Sequence, residues 1–201
     1  MKDRAPTLER APILTLPEAE AAWLTAAYAE AKVILEYGSG GSTALAASMP
    51  GKTIWSVESD RDWVAGLSDW FRQNPQPSQV NLRHADIGPT TKWGRPSGNN
   101  HHAKFHHYPL DIWDEPGFAA PDTVLIDGRF RAACFLAVVF RTPRPVTVYF
   151  DDYVGRPAYA VVERFGPPVK IVGRMARFDL APQKISGEDL KWILDIFARV
   201  Q

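Results

Sequence analysis

The chain has 201 residues, 45% of them hydrophobic, and its 23 basic and 23 acidic side chains leave no net charge. That length suits one domain with a full core, and the charge balance argues against a nucleic-acid binder that works by neutralising phosphates. The single cysteine, Cys134, excludes an internal disulfide and a thiolate zinc cluster. No apolar run reaches the roughly 20 residues of a membrane span, and the N-terminus is polar rather than signal-like, so the expectation is a soluble cytoplasmic protein.

Residues 1–16 carry Pro6 and Pro12 and read as an extended arm; residues 17–201 read as one domain with an insertion at about 86–122. Pro17 can open the first turn of a helix. Pro17 to Lys32 has Trp23, Leu24, Ala27 and Tyr28 at helical spacing. Val33 to Tyr37 is an apolar strand. It runs into Gly38, Ser39, Gly40, Gly41 and Ser42, and then into a small-residue helix, Thr43 to Met49. Strand, glycine turn and helix N-terminus aim N–H groups and a helix dipole at one spot, where a phosphate, carboxylate or hydroxyl can sit. Thr53 to Val57 is a second strand ending in Glu58, eighteen residues after Gly40. An acid so placed can accept hydrogen bonds from both ribose hydroxyls.

Asp60 caps a helix through Asn74 that carries Trp63, Leu67, Trp70 and Phe71 on one face. Val80 to His84 is a third strand, with His84 in a structural role. From Asp86 to Asp122 no regular pattern holds. A long irregular loop in a compact domain is often a functional lid. Its Trp93, Phe105, Tyr108 and Trp113 suit either an acceptor pocket or anchors to the body. His101, His102, His106 and His107 read as a solvated stretch, with a substrate-facing base as the alternative.

Thr123 to Ile126 is the fourth strand, ended by Asp127 and Gly128. The apolar helix Arg129 to Phe140 buries Cys134. Thr147 to Phe150 is the fifth strand, ended by Asp151 and Asp152. A helix from Tyr159 to Phe165, strands Val169 to Val172 and Met175 to Leu180, and a helix from Gly187 to Val200 complete the reading. Strand and helix alternate, which predicts an α/β, doubly wound, mostly parallel sheet with helices on both faces. Its ligand site lies beyond the carboxyl ends of the strands. Glu36, Gly38, Glu58, Asp86, Asp127 and Asp151 all fall there.

Glu36, Gly38, Gly40 and Ser42, in the pattern ExGxGxS, resemble the first motif of the class I (Rossmann-like) S-adenosylmethionine-dependent methyltransferases. Glu58 resembles that family's acidic ribose ligand, and Asp86 with Ile87 its adenine-contacting position. The resemblance implies a seven-stranded sheet of order 3-2-1-4-5-7-6 closed by an antiparallel hairpin. It implies S-adenosylmethionine as cofactor and methyl transfer to a small-molecule acceptor, at oxygen. Asp127 and Asp151 are the implied catalytic residues. With Asp152 they also resemble the Mg²⁺ site of the metal-dependent catechol-type O-methyltransferases, whose third ligand is usually Asn. The competing reading of these carboxylates is that Asp127 caps the following helix while Arg129 or Arg131 neutralises Asp151 or Asp152. An NAD(P)-dependent oxidoreductase is the alternative function; Thr43, where its third glycine belongs, and the closing hairpin weaken it. A non-catalytic adenosyl-cofactor-binding protein stays open, as does self-association into an oligomer.

Overall fold

The computed structural model describes residue 8 and residues 10–199; of the expected arm, residues 1–7 and 9 lie outside the described residues, as does the end of the last predicted helix at residue 200. The elements run α1 (Glu18–Glu30), β1 (Val33–Tyr37), α2 (Gly41–Ser48), β2 (Thr53–Glu58), α3 (Arg61–Gln73), β3 (Gln79–His84), β4 (Thr90–Thr91), β5 (Arg95–Pro96), α4 (His107–Leu110), β6 (Thr123–Ile126), α5 (Arg131–Arg141), β7 (Val146–Phe150), β8 (Lys170–Val172), β9 (Met175–Leu180) and α6 (Leu190–Phe197). Seven strands form one sheet in the order β3-β2-β1-β6-β7-β9-β8, with β9 antiparallel to both neighbours. Counted along the main sheet, this is the expected 3-2-1-4-5-7-6. Among the described residues no helix is long and apolar enough to cross a membrane.

Side chains alternate across a strand, and here the alternation divides the core. Leu35, Tyr37, Trp55, Val57, Val124, Ile126, Val148 and Phe150 face α5 and its neighbours. Ile34, Ile54, Leu125 and Tyr149 face the other layer, against Leu24 and Tyr28 of α1 and Ala46 of α2. The central strands are apolar on both faces because both faces are covered. One residue of β1 breaks that rule: Glu36, fully buried, points into the α1–α2 layer with Ser56, its register partner on β2.

Three predicted helices change, the last of them beginning at Leu190 rather than Gly187, after a turn over 187–189. Residues Pro157–Phe165 form a 3₁₀ run, not an α-helix. Pro157 opens it, adjacent β-branched Val161 and Val162 weaken an α-helical alternative, and Gly166 stops it at φ +132°. α5 begins at Arg131 rather than Arg129, because Phe130 holds a left-handed φ of +50° and breaks the turn before it.

The insertion divides in two. Thr90–Pro96 is a short antiparallel ribbon at the carboxyl end of the sheet. Residues 105–113 pack onto the core through some of their side chains: Phe105 and Tyr108 are fully buried, Ile112 nearly so, and the Phe105 ring lies 5.0 Å from that of Phe130. Tyr37 Oη donates to the Pro109 carbonyl at 2.7 Å and accepts from Trp113 Nε1 at 2.8 Å. Phe105→Ala should therefore destabilise by about 3–5 kcal/mol, as buried Phe→Ala changes do, while Trp93→Ala stays within about 0.5 kcal/mol, as exposed changes do. Urea midpoints check both; a mild Phe105→Ala would mean that the second half is not part of the core.

Candidate functional site

β1 ends in the glycine turn, and the turn is held from two sides. In front, Gly38 sits at φ +106° with its Cα so close to the end of β6 that a Cβ would lie 2.9 Å from the Gly128 nitrogen. Only glycine combines that φ with that approach. Behind, the Glu36 carboxylate accepts hydrogen bonds from Tyr28 Oη (2.7 Å), Thr43 Oγ1 (2.5 Å) and Ser56 Oγ (3.2 Å). Thr43 Oγ1 in turn accepts from the Gly40 N–H at 2.9 Å. Burial raises the Glu36 pKa, and the hydroxyl bonds oppose that rise. Glu36 thus braces the turn from within the core and does not line the cavity in front of it.

Glu58 closes β2 at the edge of that cavity. Its Oε1 accepts from the N–H groups of Ser59 (2.6 Å) and Asp60 (3.0 Å). Its Oε2 receives only the Ser39 N–H, at 3.4 Å, and keeps acceptor capacity. Burial raises the pKa of Glu58, and these backbone donors pull it back.

The cavity measures about 450 Å³, within the usual range for small-molecule sites. Its walls are the turn Gly38–Ser42, Glu58 with Asp60 and Trp63, the ribbon tip Lys92–Gly94, the end of β6 from Asp127 to Arg131, and the arm residues 12–16. The arm passes so close that a Cβ on Gly41 would lie 2.3 Å from the Ile13 backbone. The arm, Lys92, Trp63 and both arginines were not legible as site residues; Trp93, one of the insertion's expected pocket aromatics, does line the cavity. Trp63 looked like helix core; instead its Nε1 donates to the Ser39 carbonyl at 2.8 Å. Asp86 and Ile87 do not reach the cavity. The exposed Asp86 carboxylate pairs with Lys104 at 2.6 Å, and that bond, with the Gly88 N–H, lowers its pKa to about 2. Ile87 is core. None of the four loop histidines lines the cavity; His107 pairs with Asp111.

At the ends of β6 and β7, Asp127, Asp151 and Asp152 do converge, and a guanidinium stands among them. Arg131 Nη2 lies 3.0 Å from Asp127 Oδ1 and 3.4 Å from Asp152 Oδ2, and its Nη1 3.9 Å from Asp151 Oδ2. Arg174, from the β8–β9 turn, grips Asp151 with two bonds of 3.0 and 2.9 Å. Arg156 takes Asp152 at 2.8 Å. Asp151 is fully buried, whereas Asp127 keeps 32% of its side chain exposed, on the cavity side.

No protein-family model and no curated protein sequence matches the chain. Among solved structures, a methyltransferase-like protein from Silicibacter pomeroyi is 46% identical, with a TM-score of 0.90 over 94% of this chain and 98% of that one. This chain belongs to that methyltransferase-like family. Its fold is that of the class I S-adenosylmethionine-dependent methyltransferases, as the sheet order requires. Two more distant structures share the fold at 16% identity. One is a candidate O-methyltransferase from Klebsiella pneumoniae (TM-score 0.57, 86% of this chain and 84% of that one). The other is an O-methyltransferase from Streptomyces achromogenes in complex with S-adenosylmethionine (0.55, 85% and 82%).

The methyltransferase-like chain departs from the expected metal centre. Mg²⁺ needs free carboxylate oxygens, yet all three acids are engaged by arginines, and a cation already stands between them. No group of three metal-ligating side chains is open to an ion among the described residues. The residues do not fit a metal. Asp127 does not cap α5 either, since the residue before that helix is Phe130 and no side chain caps it. Asp151 is withdrawn from the cavity and anchors arginines. Asp127 remains. Its pKa is pushed up to about 7, by burial first and by the charges of Asp151 and Asp152, against the pull of Arg131.

The sign of that shift gives a test. Between the ordinary carboxylate range and about pH 7, folded Asp127 holds a proton that the unfolded chain has released. Its contribution to stability therefore falls as pH rises through that window. Asp127→Asn should flatten the fall, measured as urea unfolding free energy from pH 4.5 to pH 8 (about the span between the two pKa values). Millimolar Mg²⁺ or EDTA should leave the wild-type melting temperature unchanged; a rise with Mg²⁺ would show that the arginines yield their carboxylates to an ion.

Proposed function

We propose that this methyltransferase-like protein transfers the methyl group of S-adenosylmethionine to an oxygen of a small-molecule acceptor, with Asp127 receiving the acceptor's proton. The observation that carries the reading is Asp127 itself: a carboxylate on the cavity wall, adjoining the glycine turn through Gly128, with a pKa of about 7. A general base works best when its pKa lies near the operating pH.

The cavity suits the cofactor. Glu58 offers Oε2 to a ribose diol, and the first turn of α2 offers N–H groups and a dipole to a carboxylate. Gly40, where a Cβ would meet nothing closer than the Trp63 ring at 4.0 Å, leaves room for a ligand against the backbone. When bound, the cofactor supplies a methyl group on a positively charged sulfur, ready for in-line transfer. The chain's own part is to hold the two reactants in line and to take the proton. Arg131 fixes the Asp127 carboxyl group through Oδ1 at 3.0 Å.

Isothermal titration with S-adenosylmethionine, S-adenosylhomocysteine and NAD(H) separates this reading from an oxidoreductase, and turnover separates it from a non-catalytic binder. Glu58→Ala should weaken S-adenosylhomocysteine binding about tenfold or more, the value of hydrogen bonds to a charged group, with the fold intact by circular dichroism. Unchanged affinity removes Glu58 from the ribose site. Wild-type turnover should rise as pH passes upward through about 7, since the base works ionised. Asp127→Asn should lower kcat by roughly 10²–10⁴ and change S-adenosylhomocysteine affinity less than about twofold. Full activity in that variant, or a flat pH profile, excludes Asp127 as base.

A further inference from the structure

The cavity's charges do not balance internally. Each acidic side chain on its wall is engaged within the protein: Glu58 by the backbone of the following turn, Asp60 by the N–H groups of Asp62 and Trp63 as the cap of α3, and Asp127 by Arg131. Two cations on the same wall, Arg129 and Lys92, have no acidic partner among the described residues. The Arg129 guanidinium lines the cavity and makes no ion pair or hydrogen bond among the described residues; only its backbone does, the N–H donating to Tyr108 Oη and the carbonyl accepting from Cys134 Sγ. Arg129 is half-buried, so leaving it without a partner is costly. Burial holds its pKa below the usual arginine range, and the positive charges of Arg131 and Arg95 add to the depression, against Tyr108 and Glu58. On the ribbon above, Arg95 and Lys92 also lack carboxylate partners among the described residues, and Lys92 stands over the Trp93 ring at the rim. A half-buried guanidinium beside further cations, with every nearby acid committed, is a seat for an anion. A guanidinium forms paired, charge-assisted bonds with a carboxylate or a phosphate.

We propose that the methyl acceptor carries an anionic group, a carboxylate or a phosphate, and that Arg129 binds it. This rests on the methyltransferase reading above. The cofactor brings one carboxylate of its own, but the N-terminus of α2 already offers that group a place. Arg129 is then left for the second ligand. It would orient the acceptor's hydroxyl toward Asp127, two residues earlier on the same segment.

The test uses the full-length protein saturated with S-adenosylhomocysteine and titrated with inorganic phosphate or acetate, against chloride at equal ionic strength. The wild-type complex should bind one of the two anions, and the tighter one names the acidic group. Arg129→Gln should weaken that binding about tenfold or more, the equivalent of one lost charge-assisted bond, while S-adenosylhomocysteine affinity stays within about twofold. Arg129→Lys, which keeps the charge without the fork, should restore part of the anion binding and shows that the loss is not misfolding. A wild type that binds S-adenosylhomocysteine but neither anion overturns this proposal alone. So does an Arg129→Gln variant whose loss falls on S-adenosylhomocysteine, since Arg129 would then serve the cofactor. A wild type that binds no adenosyl cofactor removes the methyltransferase reading and this proposal with it.

Discussion

A charge buried inside the sheet is the constraint on which the site depends. Glu36 has no exposed surface, and a carboxylate so placed is tolerated only when its lone pairs are met by donors. Three hydroxyls meet them, each from a different element: Tyr28 from α1, Thr43 from α2 and Ser56 from β2. Because Thr43 also accepts the Gly40 N–H, the shape of the glycine turn is tied to the packing of two helices and a strand. The turn is therefore a rigid part of the core that surfaces at one point. This preorganisation suits a reaction whose catalysis is mainly positioning.

A second anchor stands on the other side of the turn. Where β6 and β7 end side by side, three aspartates would repel one another, and Arg131, Arg174 and Arg156 hold them together. The arrangement keeps Asp151 out of reach of the cavity, and leaves Asp127 on the cavity wall, where it holds its proton up to about pH 7. One guanidinium does here what an ion does elsewhere: it gathers carboxylates. Unlike an ion, it is fixed by its own chain and cannot leave.

The sheet was legible in the sequence because its strands obey strong rules. The central strands β1, β2, β6 and β7 are short apolar runs, and turn formers or acids end them at the carboxyl edge. Glu58 and Asp127 were found as site residues because their positions at strand ends are dictated by topology. Gly38, Gly40 and Ser42 were legible from the glycine turn, and Trp93 as an aromatic of the insertion. Ile13 and Trp63 were not, because they reach the cavity through the paths of an arm and a helix that no periodicity encodes. Asp86 sits at a strand end like Glu58, but Lys104, eighteen residues on, draws its carboxylate to the surface. The three aspartates were placed together, and of the two readings of them neutralisation by an arginine holds while the Mg²⁺ site does not. Arg131 was one of two candidates to neutralise them; Arg174 lies in the turn of the closing hairpin, which the expected order sets beside the fifth strand, but no pattern marks which hairpin residue reaches Asp151.

Among the described residues, three other than glycine hold left-handed backbone: Trp93 at φ +66°, Phe130 at +50° and Asp152 at +56°. Each adjoins the cavity or its aspartate cluster. Such conformations cost about 1–3 kcal/mol apiece, so part of the fold's stability is spent on the shape of the site. Directed evolution for heat resistance would meet a trade-off at these positions. Glycine at Phe130 or Asp152 relaxes the backbone but forfeits a buried ring or a bridging carboxylate. Gains in robustness are therefore to be sought on the opposite, amino-terminal edge of the sheet, where no strained residue holds an active group.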